Sequence, residues 1–293
     1  MAIPRFAWGS NYADAFGKQW NRHPRTQLDS HSGTTITRDR LRHVLGKAIW
    51  EALAGAQILE CGCGAGRFTE VLLERGSFVT SVDLSEAVNA NLLNFPDAAR
   101  HRVAQADIGS LPFAEQQFDI VLCLGVIQHT PDPEVTILAL YDHVRPGGHL
   151  VIDHYARTHW TAYVSIKPVV RLVMKRRSPQ SNAQLVRRLV DLLLPLHRSV
   201  RGIPLIRSFV GRLSPVLHYY GVYPQLSDQM QYDWALLDTN DAMTDCFKHR
   251  RTKEELRSVL QSLGAEDIWC EYGGIGVEAR CRRPEEPMIR GRG

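Results

Sequence analysis

The stretch ILECGCGAGRF, residues 58–68, decides the fold of this chain. An apolar run ends at Glu60, and glycines then occupy every second position before the helix-spaced segment RFTEVLLERG begins. A glycine-rich turn from a strand to a helix presents backbone N–H groups and the positive helix end to an anionic or polar ligand. The sequence therefore predicts a buried strand, residues 57–61, followed by a ligand-binding turn that contains Gly62, Gly64 and Gly66.

The glycine spacing differs from that of the common nucleotide-binding loops. Dinucleotide enzymes use G-x-G-x-x-G, whereas here Gly66 comes one residue early and Arg67 occupies the expected place. A Walker loop requires Gly-Lys-Ser/Thr, which this turn lacks. Because Glu60 would repel a diphosphate, a ligand with an amino group or a positive charge fits this strand end better.

Strand and helix patterns alternate along most of the chain. Strands are predicted at 57–61, 78–83, 101–107, 118–125 and 149–155, and helices at 37–54, 67–76, 85–95 and 133–144. The alternation stops after Tyr155 and resumes with a helix, 252–264, and two short strands, 266–272 and 276–283. Continuous apolar strands separated by helices are typical of a parallel α/β sheet that is covered on both faces.

Local signals predict where some of these elements begin. Thr37 is expected to cap the helix 37–54. Thr252 and Glu255 have the spacing of a capping box for the helix 252–264. The segment RPGG, residues 145–148, predicts a turn before the fifth strand.

Composition excludes several classes of protein. No apolar run reaches the roughly 18–20 residues that cross a bilayer, and the first residues lack the basic and apolar regions of a secretory signal. Six cysteines in 293 residues are too few for a disulfide scaffold. We expect a cytoplasmic protein.

Further polar residues follow the next predicted strands. Asp83 ends the second strand, where a carboxylate can accept both hydroxyls of a ribose. Asp107 ends the third and can accept from an exocyclic amine, with Ile108 beside the ring. The fourth strand ends in LGVIQHT. Because ligands of open α/β sheets bind beyond the carboxyl ends of the strands, these positions are expected to converge on one cleft.

Four segments in this order resemble the motifs of class I S-adenosylmethionine-dependent methyltransferases, in particular the group of ubiquinone and menaquinone biosynthesis enzymes. They are ILECGCGAGRFTEVL, VDLSEAV, ADIGSLPF, and FDIVLCLGVIQHTPDP with the later VRPGGHLVIDHY. The resemblance covers residues 57–155 well and 252–283 loosely. It implies a Rossmann-like, seven-stranded, mostly parallel sheet with an antiparallel last strand, and S-adenosylmethionine as the cofactor.

The resemblance also implies cofactor contacts, position by position. The methionine part would meet the glycine turn, the ribose the end of the second strand, and the adenine the end of the third. The cofactor-binding residues expected are Glu60, Gly62, Gly64, Asp83, Leu84, Asp107, Ile108 and Leu124. Cys61 and Cys63 lack a second pair at zinc spacing, so no metal is expected.

The chain is expected to divide into four segments. Residues 37–155 and 245–283 form the cofactor-binding core, and residues 156–244 a basic helical insert, or lid, after the fifth strand. Residues 1–36 form an N-terminal arm expected to cover the cofactor cleft, with Tyr12, Trp20 and Gln27 as candidates for that contact. Residues 284–293 form a flexible tail. The arm is also similar to N-terminal segments of bacterial methyltransferases of glycan, lipid or natural-product pathways.

Candidate residues for the acceptor follow the fourth and fifth strands and lie in the insert. His129 is either a general base that faces the transferred methyl group or a cap of the next helix. His154 and Tyr155 are expected to contact substrate or to pack. Tyr220 and Trp234 either line an apolar substrate site or form the core of the insert.

The insert is strongly basic. Residues 163–215 contain eleven Lys/Arg and one acid, Asp191, and the helix QLVRRLVDLLLPLH has a single polar stripe at 184, 187, 188 and 191. Four readings remain: a solvated face of a lid, attraction to an anionic membrane surface that delivers a lipid-linked substrate, an acidic small substrate, or nucleic acid. Nucleic acid ranks last because no recognised nucleic-acid module accompanies the charge.

The sequence therefore predicts S-adenosylmethionine-dependent methyl transfer to oxygen or carbon of a small-molecule or lipid-like acceptor, glycans and natural products included. The alternatives are a nucleic-acid methyltransferase, a non-catalytic protein that binds S-adenosylmethionine, and a nicotinamide oxidoreductase. Glu60 and Arg67 argue against the last of these.

Overall fold

The computed structural model describes residues 2–7, 9, 11–97, 99–157, 166–174, 177–274 and 276–285. Its strands are β1 (Gln57–Cys61), β2 (Phe78–Asp83), β3 (His101–Gln105), β4 (Phe118–Cys123), β5 (Val144–Tyr155), β6 (Glu266–Gly273) and β7 (Gly276–Arg282). They form one sheet in the order β3-β2-β1-β4-β5-β7-β6. The first five strands are parallel, and β7 is antiparallel to both β5 and β6. The predicted Rossmann-like sheet of seven strands with an antiparallel last strand is confirmed.

The helices precede, connect and follow these strands as the alternation predicts. They are α1 (Asp14–Arg22), α2 (Asp29–Ser32), α3 (Ile36–Glu51), α4 (Arg67–Glu74), α5 (Ala87–Asn94), α6 (Pro133–Asp142), α7 (Lys167–Met174), α8 (Pro179–Ser199), α9 (Pro204–Leu213), α10 (Asp228–Thr244) and α11 (Lys253–Ser262). The expected capping box is present at the start of α11, where Thr252 and Glu255 exchange hydrogen bonds.

Two of the predicted element ends are wrong. The helix α3 begins at Ile36, so Thr37 does not cap it; its Oγ1 instead accepts a hydrogen bond of 3.0 Å from Arg67 Nε. The expected turn at 145–148 lies within β5. The register between β4 and β5 shifts across this segment, and the Gly147 N–H donates to the carbonyl of Arg283, just after β7.

The described residues divide into two compact units. The first comprises those of Met1–Pro24, Thr37–Arg157 and Phe247–Gly293, and the second those of Arg25–Ile36 and Thr158–Cys246. The residues expected to form one N-terminal arm, 1–36, are thus shared between the two units. The insert after the fifth strand accounts for most of the second unit.

The core of the first unit lies on both faces of the sheet. Leu59 and Val121 face the cluster that contains Leu140 and Leu256, while Ile58 and Leu122 face a second cluster on the opposite side. Successive strand residues point to opposite faces, so a strand covered on both sides is apolar at every position. This explains why QILEC and FDIVLC are apolar runs without alternation.

The second unit is a helical body with its own core. Val186 and Val190 of α8 pack with residues of α7 and α10, whereas the polar stripe of α8 that the sequence predicts is exposed. The helix α8 continues through Pro195. Because Pro195 is exposed, the carbonyl that loses its helical partner there can be solvated. Within the described residues, we found no helix that combines the length and the apolar character needed to span a bilayer.

A buried charge cluster attaches α3 to the sheet. Asp153 and Glu278 are opposite each other on β5 and β7, and both are fully buried. Arg40 forms an ion pair with Asp153, and its Nε lies 3.6 Å from Glu278 Oε1. One guanidinium therefore serves two buried carboxylates, and its removal leaves Asp153 without a cation and Glu278 with only the His43 ring, 3.6 Å away.

We predict that Arg40→Met lowers the free energy of unfolding by about 3–5 kcal/mol, because breaking a buried ion pair leaves buried charge behind. Urea unfolding measures the effect, and the added change Glu278→Gln should recover part of it. The control is Lys47→Met, which removes an exposed pair with Glu51 and should have little effect. An equal loss of unfolding free energy in Arg40→Met and Lys47→Met would contradict the argument from burial.

Candidate cofactor and acceptor site

The side chains that pack against the turn after β1 leave room only for glycine at two of its positions. Gly62, Gly64 and Gly66 all have positive φ angles, of 73°, 52° and 98°. A Cβ on Gly62 would overlap the Val126 side chain, and a Cβ on Gly66 would overlap the Phe95 ring. The turn therefore has bare backbone for two reasons, its left-handed conformation and its close packing.

The turn is tied to the end of β2 by one hydrogen bond. The Gly64 N–H donates to Asp83 Oδ2 at 3.0 Å, and Asp83 Oδ1 accepts from the N–H and the hydroxyl of Ser85. These bonds fix the Asp83 carboxylate at the carboxyl end of the sheet. Burial raises the pKa of Asp83, while the three donors lower it.

Glu60 lies below the turn in a buried polar network. Its Oε2 accepts from Thr69 Oγ1 at 2.5 Å and from Ser81 Oγ at 3.0 Å, whereas Oε1 has no hydrogen-bond partner among the described residues. Burial raises the pKa of Glu60 from 4.5 to about 7. The two hydroxyls that donate to Glu60 have further partners: Asn91 donates to Thr69, and the His101 ring contacts Ser81.

Sequence reasoning did not identify the donors to Glu60. Ser81 is a polar residue within the apolar strand FVTSVD, and the parallel register pairs it directly with Glu60. Thr69 is a fully buried polar residue of α4. A polar residue inside a buried strand next to a buried acid is the signal that could have found this network.

Asp107 and Ile108 lie at the end of β3, as expected. Asp107 is exposed, and its Oδ1 accepts from the Gly109 N–H at 2.8 Å and so caps the short 3₁₀ helix Ile108–Ser110. Ile108 is buried. The carboxylates of Asp83 and Asp107 both act on Tyr12, whose pKa is raised to about 12 by burial and then by these two charges.

The N-terminal residues of the first unit place three aromatic side chains in this region, at intervals of four. Tyr12 lies by Asp83 and Asp107; Phe16 has its ring centre 5.4 Å from that of His129; and the Trp20 indole lies 3.3 Å from where a Cβ of Gly64 would be. Sequence reasoning named Tyr12 and Trp20 but missed Phe16. The i, i+4 spacing was the available signal.

Backbone contacts hold this segment against the strand ends. Gly17 fits closely against Ser85 and Glu86, where a Cβ would clash. Asn21 Nδ2 donates to the Glu86 carbonyl at 2.8 Å, and Asn11 Nδ2 lies 3.4 Å from that of Leu84. Gln27, in contrast, belongs to the second unit, where its Nε2 donates to Asp238 at 3.2 Å.

The end of β4 packs directly against the glycine turn. Val126 fills the space beside Gly62, and Leu124, a predicted cofactor contact, is buried just before it. The Gly125 N–H donates to Asp153 Oδ1 at 2.6 Å. Leu84, the other apolar candidate, is half-buried after β2.

His129 is buried among aromatic rings. Its ring centre lies 5.3 Å from that of Tyr155 and 5.4 Å from that of Phe16, and its Nδ1 lies 3.2 Å from the Phe247 carbonyl oxygen. That contact favours the neutral tautomer with the proton on Nδ1, in which Nε2 carries the lone pair. The alternative that His129 caps the next helix is wrong, because Asp132 caps α6 through the N–H groups of Glu134 and Val135.

The remaining predicted substrate residues lie elsewhere. His154 is fully buried, its Nδ1 lies 3.2 Å from the Tyr155 carbonyl, and burial lowers its pKa to about 4. Trp234 is buried within the second unit, where its indole donates to the Thr26 carbonyl at 2.9 Å and packs edge-on against Tyr219. Tyr220 packs against the core of the same unit. These positions favour packing over the predicted substrate contact.

The cysteines next to the glycine turn are buried and free. Burial raises the pKa of both the Cys61 and the Cys63 thiols well above the usual value. Within the described ranges, no cluster of three or more His, Cys, Asp or Glu side chains could hold a metal ion.

Residues 59–152 match the protein family described as "Methyltransferase domain". A "Ubiquinone biosynthesis O-methyltransferase" from Pseudomonas entomophila (strain L48) is 31% identical over 131 residues, and one from Acinetobacter baylyi is 33% identical over 133 residues. Each match covers 42% of this chain and 55% of the relative. The chain thus spans about half the length of the curated relatives it matches.

The fold also occurs among solved structures. A proposed S-adenosyl-L-methionine-dependent methyltransferase from Methanococcus maripaludis aligns with a TM-score of 0.51, over 97% of this chain and 100% of the other, at 13% identity. At this identity the likeness concerns the fold alone. The family match identifies residues 59–152 as a methyltransferase domain that uses S-adenosylmethionine, and the solved structure shares its fold.

Proposed function

We propose that the protein methylates a hydroxyl group of a small, apolar or ring-bearing acceptor, with His129 as the general base. One observation carries this proposal. The charges of Asp83 and Asp107 act on Tyr12, the Tyr12 ring centre lies 5.5 Å from that of Phe247, and the Phe247 carbonyl oxygen lies 3.2 Å from His129 Nδ1. Tyr12 and Phe247 thus connect residues suited to a nucleoside with a residue suited to proton transfer.

The residues at the strand ends suit S-adenosylmethionine. Asp83 would accept the ribose hydroxyls, as in other open α/β sheets, and Asp107 the adenine amine. Glu60 provides a buried carboxylate whose Oε1 lacks a donor among the described residues, which suits the cationic methionine end of the cofactor. Trp20 and Tyr12 would border the bound nucleoside from the N-terminal side.

The acceptor end is apolar and aromatic. Phe16, Tyr155 and Phe247 surround His129, and Lys248 Nζ lies 5.3 Å from the centre of the Tyr155 ring. Such walls favour a planar or lipid-like molecule over a sugar. The relatives are named as O-methyltransferases of ubiquinone biosynthesis, which supports transfer to oxygen.

The protein's contribution to the reaction is alignment and proton removal. S-adenosylmethionine supplies a methyl group already activated by a sulfonium centre. The aromatic walls orient the acceptor hydroxyl and exclude water, which can lower a barrier by up to about 7–11 kcal/mol. His129 Nε2 accepts the hydroxyl proton, while the Phe247 carbonyl holds the other ring nitrogen and stabilises the imidazolium.

We predict that Asp107→Asn weakens S-adenosylhomocysteine binding by about 10- to 100-fold, the loss of one charge-assisted hydrogen bond of about 1.5–3 kcal/mol. Calorimetry with S-inosylhomocysteine, which lacks the adenine amine, makes the test specific. Wild type should prefer S-adenosylhomocysteine to S-inosylhomocysteine, and the variant should lose that preference. Asp97→Asn, an exposed carboxylate paired with Arg100, is the control. An unchanged preference would contradict the role of Asp107.

We predict that Glu60→Gln changes the pH dependence of stability. The raised pKa of Glu60, about 7, means that the folded protein holds this proton more tightly than the unfolded chain, whose group titrates near 4.5. Its contribution to stability is therefore present below about pH 4.5 and lost as the pH rises through about 7. Relative to wild type, the variant should gain on the order of 3 kcal/mol between about pH 5 and about pH 8.

Urea unfolding at several pH values measures this gain, and Glu115→Gln, at an exposed position, is the control. The same Glu60→Gln variant should bind S-adenosylmethionine more weakly at about pH 8, where the wild-type carboxylate is ionised. A parallel pH profile for wild type and variant would show that Glu60 titrates normally.

We predict that His129→Gln lowers kcat by about 10²–10⁴-fold and leaves the affinity for S-adenosylmethionine within a few fold, because a base acts in the chemical step. Alkyl-substituted catechols with methyl-labelled cofactor serve as the probe acceptors. His31→Gln, on the exposed α2 helix, is the control. Wild-type activity in the His129 variant would contradict the base, and binding of S-adenosylmethionine without turnover of any phenolic acceptor by wild type would favour a non-catalytic protein.

A further inference from the structure

We infer that the second unit carries a docking surface for anionic lipid bilayers, centred on α9. This helix has no buried residue. Its apolar side chains are nevertheless large: Leu205 is 86% exposed, Phe209 64%, Leu213 53% and Ile206 44%. These four residues are called the α9 face below.

The α9 face is one continuous stripe. Leu205, Phe209 and Leu213 are four residues apart, and Ile206 lies three before Phe209, so all four side chains project from one side of the helix. Val210 and Arg207, on other sides, are only partly exposed. The helix therefore rests on the unit through its other sides and turns its most apolar side to solvent, the reverse of an ordinary surface helix.

Exposed basic residues accompany the α9 face. Arg201 precedes the helix and Arg212 lies within it next to Leu213, whereas Arg207 is on another side and only partly exposed. None of these three arginines forms an ion pair with another residue that the structure describes, whereas Arg171 and Arg198 pair with Asp245 and Asp228. Eleven Lys/Arg and one acid occur between residues 163 and 215, so the sequence on either side of α9 is strongly basic.

An anionic bilayer fits this combination better than other occupants. A helix that lies in the membrane interface has an apolar face for the acyl region and basic residues for the headgroups. A nucleic acid would leave the four apolar side chains in water. A second copy of the chain would bring two basic surfaces together, and their charges would repel. The inference uses residues outside the methyltransferase site and does not depend on the proposed reaction.

Vesicle flotation with the full-length protein tests the inference. Wild-type protein should float with vesicles of phosphatidylcholine that contain a minor fraction of phosphatidylglycerol, and bind pure phosphatidylcholine at least tenfold more weakly. Added salt should release it. The variant Leu205→Glu/Phe209→Glu should lose at least tenfold in binding to the anionic vesicles, and Arg201→Gln/Arg212→Gln should lose about fivefold or more together with most of the salt dependence.

The control is Leu93→Glu, because Leu93 is 75% exposed on α5 of the first unit. It should bind vesicles as wild type does. Circular dichroism and S-adenosylhomocysteine binding show that each variant is folded, so a loss of flotation is a loss of the surface. Failure of the wild-type protein to float with either vesicle, equal binding by the Leu205/Phe209 variant, or a dimer that this variant abolishes would overturn the inference.

Discussion

The site depends on the convergence of parallel strand ends, held together by the hydrogen bond from the Gly64 N–H to Asp83. Two neighbouring strands end side by side, and this bond joins the turn after one to the carboxylate after the other. The turn can make it because Gly62 and Gly66 admit Val126 and Phe95 where side chains would clash. The position of the Asp83 carboxylate therefore depends on the backbone conformation of the turn and on its packing.

The acidic side chains at the ends of β1, β2 and β3 lower the stability of the protein without a ligand. Glu60 is buried and Asp83 is half-buried, and loss of solvent raises the pKa of each. Burial, and then the charges of Asp107 and Asp83, raise the pKa of Tyr12 to about 12. A ligand that carries positive charge and hydroxyl donors offsets that cost, whereas a pyrophosphate would increase it. The electrostatics thus favour a ligand with a positive charge, such as a sulfonium nucleoside.

The strand-end residues could be predicted from sequence, and the residues that depend on long-range docking could not. Asp83 and Asp107 follow apolar runs, and their meeting follows from the geometry of a parallel sheet alone. The roles of Phe16 and Phe247 depend on how distant segments pack, which no local pattern encodes. Trp234 and Gln27 show the converse: their residue types suit a ligand site, yet tertiary packing places them in the second unit.

A crystal structure of the protein with bound S-adenosylhomocysteine tests the central claim most directly. The account predicts the homocysteine part over the glycine turn, both ribose hydroxyls within hydrogen-bond distance of Asp83, and the adenine amine at Asp107. The thioether sulfur should point toward His129 and Tyr155. A ligand bound away from the ends of β1, β2 and β3, or a reversed ligand with its adenine over the glycine turn, would contradict it.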